Sequence, residues 1–109
     1  MITEPTATDP PSMGMSITEK RTLSFDTTPD LVPNADLYPI TATSSLTVIG
    51  GDGTLLTPAA APVVQGTDIL QVIDGSVLTA DTVYQVRVEF TAYPSGNKCT
   101  MDLELSAWP

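Results

Sequence analysis

The last third of the chain alternates between apolar and polar positions in two long runs. The apolar positions are Tyr84, Val86, Val88, Phe90 and Ala92 in the first run, and Cys99, Met101, Leu103, Leu105 and Ala107 in the second. A repeat of two residues places alternate side chains on opposite faces of a strand, so each run predicts a strand with one buried face. The segment Pro94-Ser95-Gly96-Asn97 between them is typical of a turn. The pattern therefore predicts a β-hairpin.

A four-residue turn would also set the register of this hairpin. It places Val88 opposite Leu103 on the apolar face, and Glu89 opposite Asp102 on the polar face. Like charges that face each other across two strands are destabilising, by roughly 0.2–1 kcal/mol. We interpret Glu89, Asp102 and the nearby Glu104 as an acidic strip that meets a basic residue of a partner subunit. The alternative is that the repulsion between these like charges is screened by solvent and tolerated without a partner.

Shorter alternating runs precede the hairpin. Leu23 and Phe25 predict a short strand, and residues 36–49 predict a longer one. Residues 67–73 predict a strand with apolar side chains on both faces. The proline-rich residues 54–64 predict an irregular crossing with one short edge strand. About seven short strands separated by turn signals predict an all-β sandwich or barrel.

The first nineteen residues differ from the rest of the chain. Most of them are Pro, Thr or acidic residues, which bury too little apolar surface to offset the entropy of ordering. Met13, Met15 and Ile17 then alternate with small polar residues. We interpret residues 1–19 as an extended arm whose Met13, Met15 and Ile17 contact a neighbouring subunit, and residues 20–109 as the domain. The alternative is that these three residues belong to a frayed first strand.

The charge of the chain excludes several classes of function. The sequence has 109 residues, with 13 acidic and only 4 basic side chains, and a formal net charge of −9. Four scattered basic residues cannot neutralise a row of phosphates, which argues against nucleic acids and anionic membranes as partners. No apolar run has membrane length, and the N-terminus does not resemble a signal peptide. We expect assembly in a cytoplasm.

Candidate chemistry is sparse. The chain has no His, which removes Ser-His-Asp and Cys-His arrangements and His-based metal sites. The single cysteine, Cys99, lies at an apolar position and is interpreted as a small buried hydrophobic residue. The turn acids do not have the ligand spacing of a calcium loop; they are Asp52, Asp68, Asp74 and Asp81. We expect no catalytic residue, no cofactor and no metal, so that the chain is not an enzyme.

Leu78 to Val88 resembles the entry to strand F of fibronectin type III and immunoglobulin-like domains, where a Leu, a turn and Tyr-x-Val recur. The resemblance implies a structural corner at Leu78 and Tyr84, in which the Tyr84 hydroxyl bonds to backbone a few residues upstream. The alternative is an ordinary half-buried strand tyrosine. The fold implied is an immunoglobulin-like β-sandwich of about seven short antiparallel strands with an extended N-terminal arm.

The segment 20–107 resembles small immunoglobulin-like structural proteins encoded among the head and tail genes of tailed bacteriophages. The matching segments are Leu23–Asp26, Ile40–Val48, Gly75 with Thr79-Ala80, Tyr84–Val86, Gly96 and Met101–Leu105. The chain departs from that family in its proline-rich middle and in lacking an early Trp. The resemblance implies a structural virion protein. Within that class we favour a capsid decoration or cement protein that binds the capsid surface, as a homo-oligomer or on a lattice of virion proteins.

A cytoplasmic origin agrees with this expectation, because a virion protein folds in a reducing host and acts after lysis, without a signal peptide or a disulfide. Two alternatives stay open. One is a tail, connector or fibre component. The other is an adhesive or carbohydrate-binding immunoglobulin-like module, which needs exposed aromatic residues on one face. Its candidates are Tyr38, Tyr93 and Trp108, and clustering of two of them would favour it.

Overall fold

Two β-sheets form a sandwich in the computed structural model, which describes residues 12–56 and 60–109. The strands are β1 Ser12–Ser16, β2 Lys20–Asp26, β3 Tyr38–Val48, β4 Val63–Gln65, β5 Asp68–Asp74, β6 Thr82–Tyr93 and β7 Lys98–Trp108. A single helical turn, α1, spans Thr28–Leu31, and turns of 3₁₀ helix span Val32–Asn34 and Gly75–Val77. One sheet has the order β1-β7-β6-β3 and the other β2-β5-β4. The predicted all-β sandwich is confirmed.

The core lies between the two sheets and uses the apolar positions of the alternating runs. Its buried side chains include Leu23 and Phe25 of β2, Leu46 of β3, Ile69 and Ile73 of β5, Val86 and Val88 of β6, and Leu103 and Leu105 of β7. Burying one such side chain stabilises the fold by about 1.5–3 kcal/mol. The polar members of the same runs consequently form the outer faces of the sheets.

Gln71 is the one buried amide side chain on the inner face of β5. Its Oε1 accepts a hydrogen bond from the Ser44 hydroxyl of β3 at 2.5 Å. Its Nε2 donates to the carbonyl oxygens of Ala60 and Val72, both at 2.8 Å. These hydrogen bonds offset the cost of removing the amide from water, and they join β5, β3 and the segment that leads to β4.

The hairpin of β6 and β7 pairs two residues away from the predicted register. Val88 lies opposite Met101, and Leu103 lies opposite Val86. A shift of two residues keeps every side chain on its predicted face, because the alternation itself has a period of two. The prediction of the core face is therefore confirmed, whereas the predicted cross-strand pairs are wrong.

The connection between β6 and β7 explains the shift. The ladder closes at the pair Thr91 and Lys98, so the connection is longer than the four residues expected. Inside it, the Ala92 N–H donates to the Asn97 carbonyl at 2.8 Å, and the Gly96 N–H donates to the Ala92 carbonyl at 2.9 Å. Gly96 has a φ of 77°, a left-handed conformation that suits glycine.

β1 belongs to the sandwich of its own chain. It pairs in parallel with β7, and the Ile17 N–H donates to the Trp108 carbonyl at 2.8 Å. Met15 is fully buried, and Met13 and Ile17 pack against the core. The predicted antiparallel arrangement of all strands is therefore wrong. β1 lies before the predicted boundary at residue 20 and is a paired strand of the sandwich, neither an arm nor the frayed first strand that the pattern left open, and its Met15 is not accessible to a partner subunit in this fold. Contact of Met13 and Ile17 with a neighbouring subunit stays a prediction. Residues 1–11 of the predicted arm lie outside the described residues.

Trp108 covers β1 from the outer side of the sheet. A Cβ atom on Gly14 would lie 1.9 Å from Cζ3 of Trp108, so only glycine lets the indole ring lie against the strand. Trp108 nevertheless remains 47% exposed. β1 is thus held on its inner face by the packing of the Met15 side chain in the core, and on its outer face by the indole ring of Trp108.

Tyr84 forms the predicted tyrosine corner. Its hydroxyl accepts a hydrogen bond from the Thr79 N–H, five residues upstream, at 2.7 Å. The Tyr84 side chain is buried, and Leu78 is buried beside the same connection. The hydrogen bond ties the segment that follows β5 to the beginning of β6, and the prediction is confirmed.

Tyr84→Phe is expected to lower the free energy of unfolding by about 0.5–1.5 kcal/mol, because the Thr79 N–H loses its partner while the ring keeps its packing. Urea denaturation followed by Trp108 fluorescence measures the change. The matched control is Tyr38→Phe, which removes an exposed hydroxyl and should stay within about 0.5 kcal/mol of the parent chain. Equal values for the two variants would show that the corner hydrogen bond contributes no stability.

Candidate functional site

The outer face of the four-stranded sheet carries four successive rows of side chains across β3, β6 and β7. The rows are Tyr38 and Tyr93; Thr41, Thr91 and Lys98; Thr43, Glu89 and Thr100; and Ser45, Arg87 and Asp102. They occupy the positions that alternate with the core residues, so they point away from the sandwich interior. We call the first three rows the tyrosine–threonine face.

A groove of about 410 Å³ crosses the two middle rows. Its lining residues are Thr41, Thr43, Thr91 and Thr100, the charged Glu89 and Lys98, and the intervening Ala42, Phe90 and Cys99. The groove is shallow and open to solvent, so it can contact one side of a ligand. The groove therefore offers hydroxyl groups and one charge of each sign to a ligand.

Two aromatic side chains stand at one end of the groove. The rings of Tyr38 and Tyr93 stack with their centroids 5.1 Å apart and an interplanar angle of 23°. The residues are 44% and 42% exposed, so the pair is accessible to solvent. A β-bulge between Pro39 and Thr41 shifts the register of β3 and brings the two tyrosines opposite each other. The predicted candidates thus cluster in a pair, and the third, Trp108, lies at the other end of β7.

Asp36 holds the turn next to the tyrosine pair. It precedes β3 and is only 8% exposed. Its Oδ1 accepts a hydrogen bond from the Ser95 N–H at 2.9 Å, and its Oδ2 accepts one from the Ser95 hydroxyl at 2.8 Å. The Leu37 N–H donates to the Tyr93 carbonyl at 2.7 Å. These bonds fix Tyr93 and the turn that follows it against the beginning of β3.

The predicted pair of Glu89 and Asp102 does not form. Asp102 lies opposite Arg87, whose Nε donates to Oδ1 at 2.8 Å and whose Nη2 donates to Oδ2 at 3.2 Å. Hydrogen bonding to Asp102, together with its negative charge, raises the pKa of Arg87. The two-residue shift of register thus replaces a like-charge pair by a bidentate ion pair.

The three acidic residues of the predicted strip consequently have different neighbours. Asp102 is neutralised, Glu104 lies between Ser12 and Gln85, and Glu89 lies opposite Thr100 at the groove. The predicted facing of Glu89 and Asp102 in an acidic strip is therefore wrong, although Glu89 remains exposed. Within residues 12–56 and 60–109, neither Glu89 nor Lys98 has a salt-bridge or hydrogen-bond partner for its charged group. Both charges are available to a ligand.

Cys99 is a half-buried residue that packs against the core. Burial raises the pKa of its thiol, and the negative charges of Asp30 and Asp36 raise it further. The thiol therefore stays protonated and is a poor nucleophile. Its packing agrees with the prediction of a small hydrophobic residue, although it is less buried than expected.

The turn acids do not gather into a metal centre. In the part of the chain that the structure describes, no three His, Cys, Asp or Glu side chains come together as possible ligands. Asp52 instead accepts a hydrogen bond from the Thr54 N–H at 2.9 Å, and Asp74 accepts one from the Ser76 N–H at 3.0 Å. Hydrogen bonds from Thr54 and Ser76 lower the pKa of the respective carboxyl groups. These acids stabilise turns.

Comparison with known proteins adds no family. Neither a scan of protein-family models nor a search of curated proteins finds a match to the chain. Over the two described ranges, no helix is long and apolar enough to cross a membrane. The tyrosine–threonine face is thus the candidate site on its own geometry. Sequence patterns missed its groove, because the groove depends on how three strands align.

Proposed function

We propose that this chain is an immunoglobulin-like structural protein of a tailed-phage virion, acting as a capsid decoration or cement protein. Immunoglobulin sandwiches place strands B, E and D in one sheet and C, F and G in the other. The sheets β2-β5-β4 and β7-β6-β3 have the same grouping when the strands are counted from β2 as B. β1 then extends the second sheet beside β7.

The tyrosine corner is the observation that supports the immunoglobulin-like part of the proposal. In immunoglobulin-like domains the corner tyrosine stands near the start of strand F, after the connection from strand E. Tyr84 stands near the start of β6 and bonds to Thr79 in the connection from β5. The strand grouping and the corner thus both match β5 to strand E and β6 to strand F. The virion role itself rests on the resemblance of residues 20–107 to the phage proteins.

Attachment to a capsid would use the outer surface of the sandwich. Met15 is buried in the core, so residues 13–17 do not form a free arm in the folded chain. The net charge of −9 favours a docking surface on the capsid that carries basic residues, because complementary charge steers association. The chain would assemble in the host cytoplasm and be carried in the virion. A tail, connector or fibre position is the alternative, and it differs in where the chain is found on the particle.

The experiment uses particles purified from the phage that encodes the chain. We expect mass spectrometry to find the chain in stoichiometric amounts, and electron microscopy of antibody-labelled particles to locate it on the head. Particles made without the chain should disrupt at a lower temperature and regain stability when the purified chain is added. An unrelated protein of similar negative charge is the control. Absence from the particles contradicts the proposal, and label on the tail favours the alternative position.

A further inference from the structure

We propose that the tyrosine–threonine face binds a neutral oligosaccharide, with one ring of the stacked Tyr38–Tyr93 pair against the apolar face of a sugar ring and the groove against its hydroxyl groups. The inference rests on the geometry of this face alone. It therefore holds or fails independently of the virion role.

The tyrosine pair and the groove are close enough to contact one ligand. Tyr93 and Thr91 lie two residues apart on β6 and point to the same side, about 7 Å apart along the strand. Tyrosine presents a large apolar ring with a polar hydroxyl, which suits a ligand that is apolar on one face and polar at its edges. A pyranose ring has this form, because its C–H groups line its faces and its hydroxyls radiate outward.

The groove has the hydrogen-bonding capacity that such a ligand needs. The hydroxyls of Thr41, Thr91 and Thr100 both donate and accept, as sugar hydroxyls do. The Glu89 carboxylate accepts only, and the Lys98 ammonium donates only. Neither charge has a hydrogen-bond partner in the described chain, so a sugar hydroxyl would not displace an existing bond.

Other occupants fit this face less well. A phosphate-bearing ligand would meet Glu89 and a chain of net charge −9. A lipid or other apolar ligand would bury threonine hydroxyls and charges without partners, which costs free energy. An extended peptide that added a strand to the sheet beside this face would have to pair with β3, whose edge is interrupted by Pro39 and by the bulge between Pro39 and Thr41.

The test titrates the isotope-labelled full chain with three neutral tetrasaccharides, namely maltotetraose, cellotetraose and the tetramer of N-acetylglucosamine. Concentrations reach about 10 mM, above the millimolar Kd expected for a shallow open site. We expect at least one of them to shift the backbone amide resonances of Thr41, Thr91 and Thr100 in a saturable way. No saturable shift with any of the three overturns the proposal, as do shifts confined to another face.

Variants separate binding from folding. Tyr93→Ala should weaken the tetrasaccharide that binds by about tenfold or more, and Thr100→Val, which keeps the shape of the side chain, should weaken it measurably. The control is Trp108→Phe, an exposed aromatic at the far end of β7, which should leave the affinity unchanged. Equal affinity in all three variants overturns the proposal. If the same amide resonances shift with protein concentration in the absence of sugar, the face contacts a second copy of the chain. That result also overturns the proposal.

Discussion

Met15→Ala is expected to lower the free energy of unfolding by about 2–5 kcal/mol, the range for truncating a large buried side chain. Met15 is the one fully buried side chain of β1, and it lies opposite Ala107 of β7. Its loss leaves a cavity at the point where β1 joins the sandwich. Urea unfolding measures the change. Trp108 is the single tryptophan and lies against Gly14, so its fluorescence also reports whether β1 stays in place.

The matched control for this prediction is Met13→Ala, on the same strand and the same face. Met13 is only half-buried, so we expect a clearly smaller loss of stability. If Met15→Ala changed the free energy of unfolding no more than Met13→Ala does, β1 would not be packed in the core in solution. The arm interpretation of this segment would then regain support.

Asp36→Ala is expected to lower the free energy of unfolding by about 2–3 kcal/mol, since hydrogen bonds to a charged group are stronger than average. The substitution leaves the N–H and the hydroxyl of Ser95 without their acceptor. We also expect a weaker near-ultraviolet circular dichroism signal from tyrosine, because the turn after Tyr93 is no longer held. Affinity for the tetrasaccharide should fall with it.

Two controls accompany Asp36→Ala. Asn34→Ala changes an exposed residue two positions earlier and should alter stability by no more than about 0.5 kcal/mol. Ser95→Ala keeps the backbone bond to Asp36 but removes the hydroxyl bond to Asp36 and the exposed bond that the hydroxyl accepts from the Asn97 N–H at 3.1 Å, so its effect should be intermediate. A value for Asp36→Ala equal to that of Asn34→Ala would refute the role of Asp36 in holding this turn.

Both predictions concern how the candidate site is supported. β1 completes the sheet whose outer face carries the site, and Asp36 fixes the turn beside Tyr93. The saccharide experiment reports on the face itself, and the particle experiment reports on the role of the whole chain. Their outcomes are independent of one another.

Sequence alone determined the faces of the strands. Apolar and polar residues alternate from Tyr84 to Ala92 in β6 and from Cys99 to Ala107 in β7, and burial of one face is the strongest constraint on a strand. The corner at Tyr84 was implied by the resemblance of Leu78 to Val88 to a strand F entry, and its hydrogen bond spans only five residues. Two of the three aromatic candidates for a binding face indeed form a pair.

Tertiary structure decided what local pattern leaves open. A register shift of two residues keeps every side chain on its face, so alternation cannot distinguish the pair of Glu89 and Asp102 from the ion pair of Arg87 and Asp102. Residues 13–17 have the same pattern whether they pair with their own β7 or with a neighbour. The groove arises only where β3, β6 and β7 align, and that alignment depends on a bulge and a turn distant from each other in sequence.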